Sequence, residues 1–161
     1  MGKGLMVKPT GVHVAFAAGT GVLVFVDLVM MLALANLGIA QKVVKSDADM
    51  INTEKFKLVL YCAFPSRAEA VALELFEALN DYCKRNGLIN FELILRLSKE
   101  KVNPERWTEA FVLKEMLKYY PAEVNRVWVC GPPVLNETFD RAFDTADFKT
   151  MGFKREQFEI L

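Results

Sequence analysis

The stretch His13-Val14-Ala15-Phe16-Ala17-Ala18-Gly19-Thr20-Gly21-Val22-Leu23-Val24-Phe25-Val26-Asp27-Leu28-Val29 decides the fold. Val12 to Ala17 is uncharged and rich in β-branched and aromatic residues, as a strand covered on both faces should be. Gly19 and Gly21 bracket Thr20, where the chain must turn sharply and let a ligand approach the backbone. The apolar run then continues from Val22 to Ala35, too long for one strand and long enough for several helical turns. A strand that enters a helix through glycines leaves free N–H groups at the positive end of the helix dipole. Such a turn is an anion site, and pyrophosphate is its usual occupant.

Two plainer readings compete. From Val14 to Ala40 the only charge is Asp27, so hydropathy alone reads the run as a membrane span. Gly19-Thr20-Gly21 would break such a span early, and the strand-like first part lacks helical character. The other reading is a strand–turn–helix that holds no ligand, since a glycine pair by itself is a weak motif.

A chain of 161 residues makes one domain with a proper core. Acidic and basic residues balance at 20 each, which argues against nucleic acid as a partner. Apolar residues reach 53%, slightly high, which suits a sheet buried on both sides or a chain with an exposed apolar face. The three cysteines, Cys62, Cys83 and Cys130, show no C-x-x-C spacing. They point to a reducing, intracellular compartment, the cytoplasm or the cytosolic face of a membrane, and away from a disulfide framework or zinc site. His13 is the single histidine, which leaves little room for a His-based triad or metal cluster. It opens a strand and reads as structural. Residues 1–5 hold no apolar signal core, and no transmembrane segment is expected.

In chain order, residues 1–11 form a glycine- and proline-bearing lead-in, and residues 12–161 the domain. The first helix is expected to end near Asn36-Leu37-Gly38, followed by a solvated loop from Gln41 to Lys55. Phe56–Ala63 is a second buried strand. Ser66 and Glu69 form a capping box for a helix that ends at Asn86-Gly87. Phe91–Leu97 is a third strand and Ser98–Arg106 a charged loop. Thr108 caps a helix that runs to Tyr119 and stops at Pro121. Arg126–Cys130 is a fourth strand, leading through Gly131-Pro132-Pro133 into a helix over Val134–Phe143. Gln157–Leu161 makes a short last strand.

Strands alternating with helices predict an α/β fold: a three-layer, doubly wound, Rossmann-like parallel sheet of about five strands. Ligands of such sheets bind beyond the carboxyl ends of the strands, at the switch in strand order. The turns there are Ala18–Gly21, Phe64–Arg67, Ser98–Lys101 and Gly131–Pro133, which carry glycines, hydroxyls or positive charge.

Ala18-Gly19-Thr20-Gly21-Val22-Leu23 after the first strand and Val127-Trp128-Val129-Cys130-Gly131-Pro132-Pro133 after the fourth together resemble the pyridine-nucleotide half of the ferredoxin–NADP reductase family. That family includes NADH-cytochrome reductases, the nitrate reductase flavin module and ferric reductases. Ala110-Phe111-Val112-Leu113-Lys114-Glu115-Met116 resembles the matching helix start of its NADH branch. Gly2-Lys3-Gly4-Leu5 resembles the tail of the linker leaving the flavin domain. The resemblance implies a module that binds NADP or NAD and passes hydride to FAD held by a separate domain or subunit. Electrons would then move singly to a haem, iron–sulfur or ferric iron acceptor.

It implies that Gly19, Thr20, Gly21 and Val22 line the pyrophosphate. It places Cys130, with Gly131 and Pro132, beside the nicotinamide. Cys130 would hold the hydride donor in line without acting as a nucleophile. Ser66 and Arg67, with Ser98 and Lys99, would grip the adenosine ribose and favour NADPH, although Arg67 and Lys99 read equally as solvated surface charges. No metal is implied. Gly21→Glu is expected to abolish nucleotide binding and leave the fold largely intact.

Two departures stand out. Val24 replaces the family's usual proline, and the chain ends Glu159-Ile160-Leu161 where an aromatic residue often stacks on the flavin. The chain leaves no space for a flavin barrel, so by itself it should be colourless and redox-inactive. Apolar residues near Gly131-Pro132-Pro133, Phe153 and Ile160-Leu161 should then be partly exposed as a cut surface. The alternative is a non-catalytic structural subunit or interaction module that kept the reductase fold.

Overall fold

The computed structural model describes residues 5–39 and 51–161. Five strands, β1 (Gly11–Ala18), β2 (Phe56–Phe64), β3 (Phe91–Leu97), β4 (Val124–Cys130) and β5 (Phe158–Ile160), form one sheet in the order β3-β2-β1-β4-β5. All four pairings are parallel. The chain winds outward from β1 through β2 to β3, then crosses back to lay β4 on the other side of β1. The switch in strand order therefore lies between β1 and β4, in line with the expected doubly wound fold.

Side-chain alternation along β1 divides the core into two layers. Ala15 and Ala17 face the helices α1 (Val26–Asn36) and α2 (Leu73–Arg85), packing with Phe25, Leu28, Leu32 and Phe76. Val14 and Phe16 face α3 (Glu109–Met116) and α4 (Pro133–Phe143), packing with Val112, Phe139 and Phe143. On this second face α3 is anchored by a buried carboxylate. Glu115 accepts a hydrogen bond from the Tyr61 hydroxyl at 2.8 Å, and Lys118 pairs with the same oxygen. On the first face, Asn36 at the end of α1 and Asn90 before β3 exchange side-chain amide hydrogen bonds at 3.1 and 2.7 Å.

Several elements differ from the sequence reading. The chain after β1 enters a tight 3-10 turn over Gly19–Phe25 before α1 begins at Val26. Ser66 does not start the second helix. It precedes a three-residue 3-10 turn, Arg67–Glu69, and its hydroxyl donates to the Glu69 carboxylate at 3.1 Å. The helix starts at Leu73, after Ala72 adopts a left-handed φ of 55°. The turn is held away from helical geometry by the neighbouring loop, where Glu100 accepts from the Arg67 N–H and Lys99 pairs with Glu69. A short helix, α5 (Ala146–Thr150), was not expected; Thr145 caps it by accepting from the Phe148 N–H. Most of the expected Gln41–Lys55 loop and residues 1–4 of the lead-in lie outside the described residues.

The expected cut surface is only partly present. Phe153 is buried, packed among Phe148 and Phe158 at ring separations of 6.0 and 5.7 Å. Val134 and Leu161 are exposed. The larger apolar exposure is on the first helical run, at Leu23, Val24, Met30, Leu37 and Ile39. Residues Gly19–Asn36 have a mean hydropathy of 1.9, long and apolar enough by length and composition to cross a membrane. Val22, Phe25, Leu28, Val29 and Leu32 of that run are buried against the sheet.

His13 is structural, as expected. It is fully buried, stacked between Phe56 at 4.8 Å and Trp128 at 5.4 Å. Its Nε2 accepts from the Lys8 N–H at 3.3 Å, and its Nδ1 has no hydrogen-bond partner. Burial lowers its pKa from 6.5 to about 4, so the imidazole is neutral at neutral pH. Stability linked to this group is complete above pH 6.5 and falls toward pH 4 as the unfolded chain takes up the proton first. The full loss should reach about 3 kcal/mol. Denaturant unfolding across this range should show it in the parent and not in His13→Phe; parallel curves for the two proteins would contradict it.

Candidate functional site: the carboxyl edge of the sheet

Three groups of residues meet the carboxyl edge. The first lies at the switch point. Ala18 is extended at φ −129° and turns the chain into the Gly19–Phe25 segment, whose opening amides have no side-chain cap. Gly19 has φ +57°, and the space its side chain would occupy is open. Gly21 is glycine for a different reason. A Cβ there would stand 2.3 Å from the Cys130 carbonyl oxygen and 3.1 Å from the Gly131 nitrogen. A Cβ on Gly131 would in turn stand 2.7 Å from Leu135 Cδ2 and 3.2 Å from Ala18 Cβ. The two glycine segments that the sequence singles out thus pack backbone on backbone. The fold draws Gly19, Thr20, Gly21 and Val22 together with Cys130, Gly131 and Pro132. Thr20 is exposed and Val22 is buried in the core.

Cys130 is half-buried, and burial raises its pKa, so the thiol stays protonated. That suits a packing or positioning group and argues against a nucleophile. Cys62 is fully buried in mid-strand, with its pKa likewise raised by burial, and Cys83 lies buried on α2. Both are core residues.

The second group is Ser66, Arg67, Ser98 and Lys99 at the ends of β2 and β3. The Ser98 and Lys99 N–H groups donate to the Phe64 and Pro65 carbonyls at 3.1 and 2.8 Å, which joins the two turns. Here the positive charge is already matched. Arg67 makes a bidentate pair with Glu77 at 2.8 and 2.9 Å, and Lys99 pairs with Glu69 at 2.6 Å. The pairing with Glu77 raises the Arg67 pKa, and Lys99 is the main cause of the lowered Glu69 pKa.

The third group was not singled out in the sequence. Where the strand ends meet the starts of α3 and α4 lies a cavity of about 660 Å³, lined by Ala18, Ala63 and Pro132 and by Arg96, Arg106, Trp107 and Thr108. Pro132 is the only sequence-predicted binding residue that lines it. Arg96 is a lone cation in an otherwise apolar run, two residues before the Ser98 turn, and that anomaly was its legible signal. Arg106-Trp107-Thr108 precedes α3, where Thr108 accepts from the Phe111 N–H at 3.3 Å as the cap. Among the described residues there is no cluster of His, Cys, Asp and Glu able to hold a metal.

This geometry is that of a doubly wound α/β domain, with a glycine turn after β1 and a second glycine segment at the switch point. Solved structures with the same fold narrow it. The chain is similar to the CS-b5R domains of human Ncb5or in their NAD+ form, with a TM-score of 0.63 and 16% identity over 94% of this chain and 37% of that one. It is similar to the cytochrome b5 reductase domain of Ulva prolifera nitrate reductase, with a TM-score of 0.56 and 14% identity, covering 94% of this chain and 49% of that one. Ferredoxin-NADP+ reductase from Plasmodium falciparum matches with a TM-score of 0.55 and 12% identity, over 95% and 52% of the two chains. No family profile matches the sequence, and no curated protein matches it. The fold is therefore that of the C-terminal domain of ferredoxin–NADP reductase-like proteins. The chain spans about a third to a half of the length of the structures it matches.

The backbone contact at Gly21 revises the expectation for this position. Gly21→Ala should cost about 3 kcal/mol or more, because the atoms in its way are backbone and cannot yield. Gly21→Glu should damage the fold as well as any ligand site. Gly19→Ala, strained only by its positive φ, should cost about 1 kcal/mol. Thermal unfolding of the two alanine variants checks this ordering; equal losses would contradict it.

Proposed function

We propose that this chain is the NAD(P)H-binding module of a flavin-dependent oxidoreductase and positions the nicotinamide for hydride transfer. The observation that carries this reading is the packing of the Gly19–Gly21 turn against Cys130-Gly131 at the switch point. It leaves backbone amides uncapped where an anionic ligand of an open α/β sheet binds. The similarity in fold to reductase domains agrees with it.

In this reading the Gly19–Gly21 amides take the pyrophosphate, and Gly19 lets the ligand approach because its side-chain space is open. Cys130, protonated and half-buried, sets the depth and angle at which the nicotinamide ring lies. Pro132 and Pro133 fix the chain leaving β4, so that Gly131 keeps its place against Ala18. FAD held by a separate domain or subunit supplies the redox chemistry, and a haem, iron–sulfur or ferric iron protein accepts the electrons. Leu23 and Val24, exposed in the turn that contacts Cys130, offer apolar surface on which a flavin-bearing partner can pack.

Calorimetry of NAD+ and NADP+ against the chain should show saturable binding to one site. Cys130→Ser should leave that affinity nearly unchanged. It should slow flavin reduction once a flavin-bearing domain is supplied, because the contact matters mainly in the transition state. Absence of binding by either nucleotide would overturn the proposal, and an unchanged reduction rate would return Cys130 to core packing.

A further inference from the structure

Charge on the carboxyl edge is unevenly neutralised. At the Ser66–Glu69 and Ser98–Lys101 turns Arg67 pairs with Glu77 and Lys99 with Glu69, Glu100 adds a further negative charge, and Lys101 is the one cation there without an ion pair among the described residues. A phosphate arriving there must displace existing ion pairs and meet three carboxylates. The adjoining cavity is the reverse. Arg96 donates to the backbone carbonyls of Glu105 at 2.8 Å and Pro104 at 3.4 Å. Those bonds orient its guanidinium and leave its charge intact. Arg106 is exposed on the same cavity and has no ion-pair partner among the described residues. Glu109, the carboxylate on this wall, is paired with Arg141 at 3.1 Å. Thr108 accepts from Phe111 and keeps its own hydroxyl proton free to donate. The cavity therefore holds two uncompensated guanidinium groups and a hydroxyl donor.

On the proposed reading of this edge, the strand order sets where this charge would fall along a dinucleotide. In the order β3-β2-β1-β4, Cys130 and Pro132 stand at the β4 end, and Arg96 stands near the carboxyl end of β3. Three strand spacings separate them, about 14 Å. With the nicotinamide at β4 and the pyrophosphate at β1, the adenosine ribose falls over β2 and β3. We infer that Arg96 and Arg106, with the Thr108 hydroxyl, form a subsite for the 2′-phosphate of NADPH, in place of Ser66, Arg67, Ser98 and Lys99. The inference rests on the reading of this edge as a nicotinamide nucleotide site. It keeps the NADPH preference expected from the sequence and moves its physical cause to a different pair of cations.

Isothermal titration of the 161-residue chain with NADP+, NAD+, 2′,5′-ADP and 5′-AMP tests it. NADP+ should bind at least roughly tenfold more tightly than NAD+, and 2′,5′-ADP more tightly than 5′-AMP by a similar factor. Arg106→Glu, at an exposed position, should remove most of both differences and change NAD+ affinity little. Arg96→Lys, which keeps the charge and loses the fork, should remove part of them. Equal affinities for NADP+ and NAD+ would overturn the subsite and leave the nucleotide reading standing. A preference that survives Arg106→Glu and disappears in Lys99→Ala would overturn it in favour of the paired turns. Absence of binding by all four ligands would overturn the subsite and the nucleotide reading together.

Discussion

The approach of the Gly21 backbone to the Cys130 carbonyl is the constraint on which the carboxyl edge depends. Two segments more than 100 residues apart in sequence touch there through main-chain atoms. The contact sets how far the first turn descends onto β4 and hence where its open amides point. It gives the Gly-Thr-Gly sequence two separate causes. Gly21 is required by packing inside the protein, whereas Gly19 stands at a positive φ beside open space, where only a ligand or a partner would make contact. Ala15 and Ala17 belong to the same arrangement, since their small side chains underlie the turn and α1, while Val14 and Phe16 fill the opposite layer.

Electrostatics divides the same edge. Hydrogen bonds to backbone carbonyls and hydrogen bonds to carboxylates both order a guanidinium, but only the second cancels its charge. Arg96 is of the first kind and Arg67 of the second. A basic residue in a turn is thus a poor indicator of an anion site until its partners are known. The exposed ion pairs add little to stability in any case; their larger effect is on which anions the surface accepts.

The sheet was legible because β1, β2, β3 and β4 are near-continuous apolar runs punctuated by glycine and proline, and no alternative element fits such runs at that length. The two glycine segments were legible because they follow strands. What escaped depended on side chains meeting across the fold. Ser66-x-x-Glu69 has the spacing of a capping box, but Glu69 is drawn to Lys99 of a different turn, and the helix starts only at Leu73. Phe153 looked like part of an exposed terminus because its partners Phe148 and Phe158 come together only when β5 joins β4. Arg96 gave a signal in sequence, a lone cation in a mostly apolar strand, but its meeting with Arg106 and Thr108 around one cavity is visible only in the fold. The apolar outer side of α1 could not be separated from a buried helix by composition, since the helix is apolar all round.

Amide chemical-shift mapping with NADP+ tests the central claim most directly, that the meeting of the two glycine segments makes a dinucleotide site along the carboxyl edge. The account predicts one contiguous set of shifted amides, from Gly19–Leu23 and Cys130–Leu135 across to Arg96 and Arg106–Thr108, with those of the amino-edge cavity around Asn125 and Gly152 unmoved. Shifts centred on Asn125 and Gly152, or no shifts at saturating nucleotide, would contradict it.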